Sequence, residues 1–269
     1  MGGAQTQDRT ITGLALLPSG TARLLAQYPS LLSLHRLSID RTPPGAGAAL
    51  TLTGDEAWHA VAVKRVQAGD AVELLDGRGS VARATVTASD KRKGGASVML
   101  RVEAVRIELP TVPRVEVWSA VPKADRAAQM VDQLAQAGAA AWRPLIAARS
   151  VTEADHKAER LHRIAVEASK QCGRAWHMTI DTPRTIDDAV AWGQNNAKAA
   201  LLVADAEGVA PSNTPHVDYF VVLVGPEGGF TEDELRKLRD AGAIALRLGP
   251  HVLRTETAAV AAAVALLSR

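Results

Sequence analysis

The segment that most restricts the fold is Tyr219–Val224, six apolar residues with no polar position between them. A strand of that kind must be covered on both faces, the condition met by a parallel sheet between two layers of helices. Residues 201–204 repeat the pattern. Around these runs strand and helix signals alternate. Residues 115–120 read as a strand and 124–137 as a helix closed by Gly138, followed by a helix over about 154–171 with acidic residues in its first turn. Thr231-Glu-Asp-Glu234 is a capping box for a helix ending at Gly242; residues 243–248 follow as a strand, and Thr255–Leu267 as an alanine-rich helix. The alternation predicts an α/β domain over residues 110–269.

Upstream the pattern changes. Leu109-Pro-Thr-Val-Pro113 is an uncharged linker with two prolines. Residues 36–109 read as a small β-rich domain with one helix, opened by a capping box at Thr53-Gly-Asp-Glu56 and running to about Val66. Gly77-Arg78-Gly79 is a hairpin turn, and Val98, Leu100, Val102 and Ala104 alternate with polar positions as in a half-buried strand. Lys91-Arg92-Lys93 begins a basic loop. Residues 1–35 form an extension of uncertain structure, with a helix expected near 22–34.

Composition narrows the setting. One cysteine, Cys172, in 269 residues excludes an internal disulfide and fits a reducing cytoplasm. No run of about 18 uncharged apolar residues is present for a membrane span. The net charge of +2 hides an asymmetry: residues 176–269 carry 12 acidic against 8 basic residues, so everything upstream is mildly basic and suited to a polyanion.

Two glycine-bearing segments follow strands, where open α/β sheets place ligands: Val224-Gly-Pro-Glu-Gly-Gly-Phe-Thr231 and Leu246-Arg-Leu-Gly-Pro-His-Val-Leu-Arg-Thr-Glu-Thr257. Neither is a Walker loop, and no G-x-G-x-x-G follows an early strand, which argues against a nucleotide triphosphate site and a dehydrogenase. These segments resemble the two signature loops of the RsmE family, 16S ribosomal RNA (uracil-N3)-methyltransferases of the SPOUT superfamily. The likeness runs from about Arg36 onward, with Pro122-Lys123-Ala-Asp-Arg126 and Gln171-Cys-Gly-Arg174 also in matching places.

The resemblance implies a PUA-like β-barrel over 36–109, a C-terminal SPOUT domain with a trefoil knot over 110–269, S-adenosylmethionine as methyl donor, and a homodimer. Three loops would hold the donor: Leu202, Val203, Ala204 and Asp205; Val224, Gly225, Pro226, Glu227, Gly228 and Gly229; and Leu246, Leu248, Gly249, Leu253, Arg254, Thr255, Glu256 and Thr257. The chain departs from the family's pattern at Gln133 and Gln136, where relatives carry a Lys and a Glu, and at Ala148, where an acidic residue often precedes Arg149-Ser150.

Methylation at uracil N3 requires that the imide proton leave and that the charge spreading to O2 and O4 be stabilised. Arg254 and Arg174 are candidates for the second task, because arginine stays charged and offers a fixed fork of donors. Glu227 and Glu256 are candidate bases, and either is equally readable as a loop brace or helix cap. No metal site is expected: His156 and His162 lie six apart on different helix faces, with no cysteine pair nearby. Nine aromatics are too few for a stacking platform, so ribosomal RNA or the assembled small subunit would be gripped through phosphates. The candidates are Lys64, Arg65, Arg78, Lys91, Arg92 and Lys93 on the small domain, with Lys123 and Arg126. A transfer RNA base or a ribose 2′-hydroxyl as target, and a non-catalytic RNA-binding protein, are the alternatives.

Overall fold

The computed structural model describes residues 34–92, 95–123, 125–151 and 158–269. The expected N-terminal helix, Lys93, and the acidic first turn near 154 lie outside these residues. From Arg36 onward the chain forms one compact unit built on two sheets.

The first sheet contains β1 (His35–Ser38), β2 (Ala49–Thr53), β3 (Ala71–Leu75), β4 (Ser80–Arg92) and β5 (Gly95–Ile107), in the order β1-β3-β4-β5-β2. The registered pairs are antiparallel. Alternate residues such as Val98, Leu100 and Val102 turn into a core with Leu37, Leu50 and Leu74, as the period of two requires. The helix after β2 departs from expectation. It runs as α1 (Gly54–Trp58) and then widens into a π-helical turn, His59–Val63. Thr53 makes no side-chain cap, and the Glu56 carboxylate that would complete the box is taken by other donors. It accepts from the Ser38 N–H at 3.0 Å and from the buried Lys170 ammonium at 2.9 Å.

The second sheet contains β6 (Arg114–Ser119), β7 (Ala141–Ile146), β8 (Thr179–Ile180), β10 (Ala200–Val209), β11 (Tyr219–Val224) and β12 (Ile244–Leu246), in the order β12-β10-β11-β6-β7-β8, with β9 (Arg184–Thr185) also on β7. All its pairs are parallel. The helices are α2 (Arg126–Ala137), α3 (Ala158–Cys172), α4 (Ile186–Asn195), α5 (Glu232–Asp240) and α6 (Thr255–Leu267). Phe220, Val222 and Val224 join the core beneath α2, α3 and α6, whereas Val221 and Leu223 join the one beneath α4 and α5. The uninterrupted apolar run is therefore the sequence trace of two covered faces. Thr231 and Glu234 form the expected capping box, and Thr185 with Asp188 forms another that the sequence reading passed over.

From β12, at the sheet edge, the chain does not end in a helix beside that strand. It crosses back, and α6 packs under β11 and β6 and against α2. On the way the Arg247 N–H donates to Val209 O at 2.8 Å and Thr255 Oγ1 donates to Gly225 O at 3.0 Å. This return beneath β11 and β6 is the chain path that the resemblance implies for the C-terminal domain, and a five-stranded, mostly antiparallel sheet precedes it.

The two sheets meet at a seam. Arg36 bonds Glu73 at 3.1 Å and the carbonyl of Gln171 at 3.1 Å, and the His177 ring lies against Gly77. Burial, with Arg174, His162 and Lys170 nearby, pushes the His177 imidazole from 6.5 down to about 4, and its Nε2 has no partner among the described residues. The unfolded chain therefore binds the extra proton as pH falls from 6.5 toward 4, and stability drops in that window. We expect a loss of about 2 kcal/mol between pH 7.5 and 5 from this group. Chemical denaturation of His177→Gln across that range checks it: the slope of stability with pH should flatten relative to the parent.

Candidate functional site

Because β10, β11 and β12 are parallel neighbours, their C-terminal ends open on one edge, and the loops that follow converge there. They enclose a cavity of about 480 Å³, within the usual range for a small-molecule site. One wall comes from Ala204 and Asp205. The second is Val224, Gly225, Pro226, Glu227 and Gly229, and the third Leu246, Leu248, Gly249, Leu253, Arg254 and Thr255. The sequence reading missed Ala206, Phe230, Leu235, His251, Val252 and Ala258, which also line it. Phe230 had a signal: its ring lies 3.2 Å from where a Gly225 Cβ would stand, a close approach of the kind that glycine permits.

Five expected residues fall elsewhere. Leu202 and Val203 are buried in the two cores, on opposite faces of β10, as alternation along a strand dictates. Gly228 is covered by Arg149. Thr257 and Glu256 sit in the first turn of α6 without lining the cavity. Glu256 is not a helix cap; one carboxylate oxygen stands 3.7 Å from Arg126, and the other is buried without a partner among the described residues.

The two arginines separate. Arg254, exposed, is in the cavity wall. Arg174 is not: its Nη1 donates to Ala135 O at 3.0 Å, satisfying a carbonyl of the last turn of α2. Desolvation lowers its pKa, as for a guanidinium embedded in a structural role. Glu227 lines the cavity with its side chain exposed.

The basic candidates are equally uneven. Lys64 is no free cation, since its ammonium donates to Arg36 O at 2.6 Å and burial lowers its pKa. Arg92 pairs with Asp90 at 2.5 Å, and Lys91 sits 4.6 Å over the exposed Trp58 ring. Arg65, Arg78 and Lys123 are exposed. Arg126 bridges α2 to Glu256.

The cleft suits S-adenosylmethionine by its own chemistry. Leu246, Leu248 and Leu253 offer an apolar slot for an adenine ring. Added methyl groups at Gly229 and Gly249 would meet nothing within 4 Å, so bare backbone faces open space where a ligand's polar edge can be bonded. Asp205 and Glu227 supply negative charge for a sulfonium.

Comparison with known proteins agrees. Residues 108–267 match the RNA methyltransferase domain family, and residues 52–94 the RNA methyltransferase PUA domain. The chain is 35% identical over 236 residues to the ribosomal RNA small subunit methyltransferase E of Mycobacterium bovis, covering 82% of this chain and 87% of that protein. The Bacillus subtilis protein of the same name is 29% identical over 242 residues, covering 84% and 91%. Among solved structures, a Legionella pneumophila methyltransferase with bound S-adenosylmethionine aligns with a TM-score of 0.76 at 27% identity, over 87% of this chain and 97% of the other. The Neisseria gonorrhoeae methyltransferase E, also with the cofactor, shares the fold at 0.77 and 24% identity, with the same coverage. The chain belongs to the ribosomal RNA small subunit methyltransferase E family, and it is a SPOUT-fold, S-adenosylmethionine-dependent rRNA methyltransferase.

Proposed function

We propose that the protein methylates N3 of one uridine in small-subunit ribosomal RNA, as a cytoplasmic homodimer. The observation that carries the reading is the cleft itself, where an apolar slot and bare backbone lie beside one exposed carboxylate, Glu227, and one exposed guanidinium, Arg254. When bound, the cofactor supplies an electrophilic methyl group on a positively charged sulfur. Leu246, Leu248 and Leu253 would hold its adenine, and backbone groups of Gly225, Gly229 and Gly249 would bond its polar edges. Glu227 takes the proton from uracil N3, and Arg254 neutralises the charge that spreads to O2 and O4. Alignment in the cleft supplies the rest of the acceleration. Barrel cations at Arg65, Arg78 and Lys91 suit phosphate contacts. Val252 and Val264, exposed on the third loop and on α6, suit an interface between two copies. No described helix is long and apolar enough to cross a membrane.

The test is methylation of naked small-subunit rRNA, assembled subunits and transfer RNA, followed by digestion and nucleoside analysis. The expected product is 3-methyluridine from the small-subunit substrate alone. A 2′-O-methylated nucleoside or a modified transfer RNA base would replace the target. Absence of both product and calorimetric cofactor binding would leave a non-catalytic RNA-binding protein.

A further inference from the structure

We infer that Arg149 grips an oxyanion of the target nucleotide at the mouth of the cofactor cleft, and that Gly228 is glycine in order to seat it. The inference rests on the function proposed above and adds to it a substrate contact on a fourth loop, the one after β7.

The two glycines of Pro226-Glu-Gly-Gly229 have different reasons to be there. Gly229 has φ +69° and lines the cavity, so it serves the turn and the ligand. Gly228 has no such backbone conformation and does not line the cavity. What a side chain there would meet is Arg149: Cδ at 3.2 Å and Cβ at 3.5 Å from the added Cβ. The Arg149 stem lies flat on the glycine, and Nη1 donates to Gly228 O at 2.6 Å.

The loop that presents Arg149 is held from both sides. The Ala148 N–H donates to Glu234 Oε1 at 2.7 Å, the same carboxylate that caps α5. The Ala147 N–H donates to Ser150 Oγ, and the Ser150 N–H returns to Ala147 O, both at 3.0 Å. The residue on display is nevertheless an exposed cation. A guanidinium offers five N–H donors in a rigid fork. One of them fixes Arg149 to the cofactor loop, directly beside Glu227, and no described carboxylate stands within ion-pair distance of the rest. A fixed, solvent-facing fork next to the methyl donor's loop fits an oxyanion that arrives with the substrate, either a phosphate or the oxygens of the uracil anion.

The test uses the full-length protein and in vitro transcribed small-subunit rRNA. Arg149→Ala should keep the parent's melting temperature and calorimetric affinity for S-adenosylmethionine while kcat/KM for rRNA falls about 10- to 100-fold, the range of a lost charged hydrogen bond. Gly228→Ala should fall in the same direction with unchanged cofactor affinity. The double variant should be no worse than Arg149→Ala, because both remove one contact. A salt slope of RNA affinity shallower by about one assigns the partner as a phosphate. An unchanged slope, with kcat lowered and the pH–rate profile displaced upward, assigns it as the uracil oxygens. Parental turnover and RNA affinity in Arg149→Ala would overturn the inference, as would a cofactor affinity that falls in step with turnover, or strictly additive losses in the double variant. RNA affinity is read without catalysis, and the parent's product is mapped separately, so failure of the assigned reaction and failure of this contact are told apart.

Discussion

Gly208→Ala is expected to remove most of the cofactor affinity although Gly208 does not line the cleft. Strand β10 does not run straight past β12: both Ala204 and Val209 register with Leu246. The four residues between them bulge from the ladder, and two of them, Asp205 and Ala206, form a cavity wall. Gly208 closes the bulge against backbone, where an added Cβ would stand 2.5 Å from both Ala245 O and Leu246 N. Neither atom belongs to a side chain that can turn away, so β10 and β12 must part. Overpacking of this kind costs about 1–3 kcal/mol in stability. The same displacement moves both ends of the third loop, because Leu246 leads into it and the Arg247 N–H is tied to Val209 O. If about 1.4 kcal/mol of the strain is relieved only when the loops separate, affinity falls tenfold. Calorimetry with S-adenosylmethionine and a thermal melt check it. A variant with the parent's affinity and melting temperature would show that the bulge does not hold the cleft.

That example marks the boundary of what the sequence disclosed. The C-terminal architecture was legible because burial on two faces leaves a trace in residue type, and Tyr219–Val224 carries it without interruption. The cleft was legible through its glycine loops, and 13 of the 18 residues assigned to cofactor binding stand in its walls. The departures have two origins. Leu202 and Val203 belong to the strand end that the resemblance implies for the third loop, yet alternation along β10 turns their side chains into the two cores. Glu56 and Glu256 matched the local signature of helix caps, but a buried ammonium from α3 claims the first and the second faces Arg126. Such partners, far away in sequence, leave no local mark. Gly208, an isolated glycine at the end of a strand pattern, did carry the usual signal of a bulge or close approach. The knot left none: no periodicity records that the segment after β12 returns beneath β11, and only the family resemblance implied it.

The largest stability effect is expected at Glu116, on the central strand β6. Its carboxylate is almost wholly buried, and it accepts from Arg114 at 2.7 Å, Tyr219 Oη at 2.8 Å, Arg143 Nε at 3.0 Å and Trp118 Nε1 at 3.3 Å. Burial pushes this carboxyl up, but the Arg114, Tyr219 and Arg143 donors outweigh it and hold the group at about 2. Glu116→Ala strands the donors unequally. Arg114 is half exposed and can turn to water; Arg143, with only 15% of its side chain exposed, cannot. Asp181 still pairs with Arg143, so the loss should fall near the lower end of the usual 3–5 kcal/mol for a broken buried pair, at about 3 kcal/mol. The carboxylate's own contribution is present above its ordinary value of 4.5 and is lost as pH falls toward 2. Glu116→Gln should therefore be less stable than the parent at pH 7 and approach it near pH 2. Urea titrations of the parent and both variants at these two pH values decide it, and a deficit that persists undiminished in acid would assign the loss to packing rather than to charge.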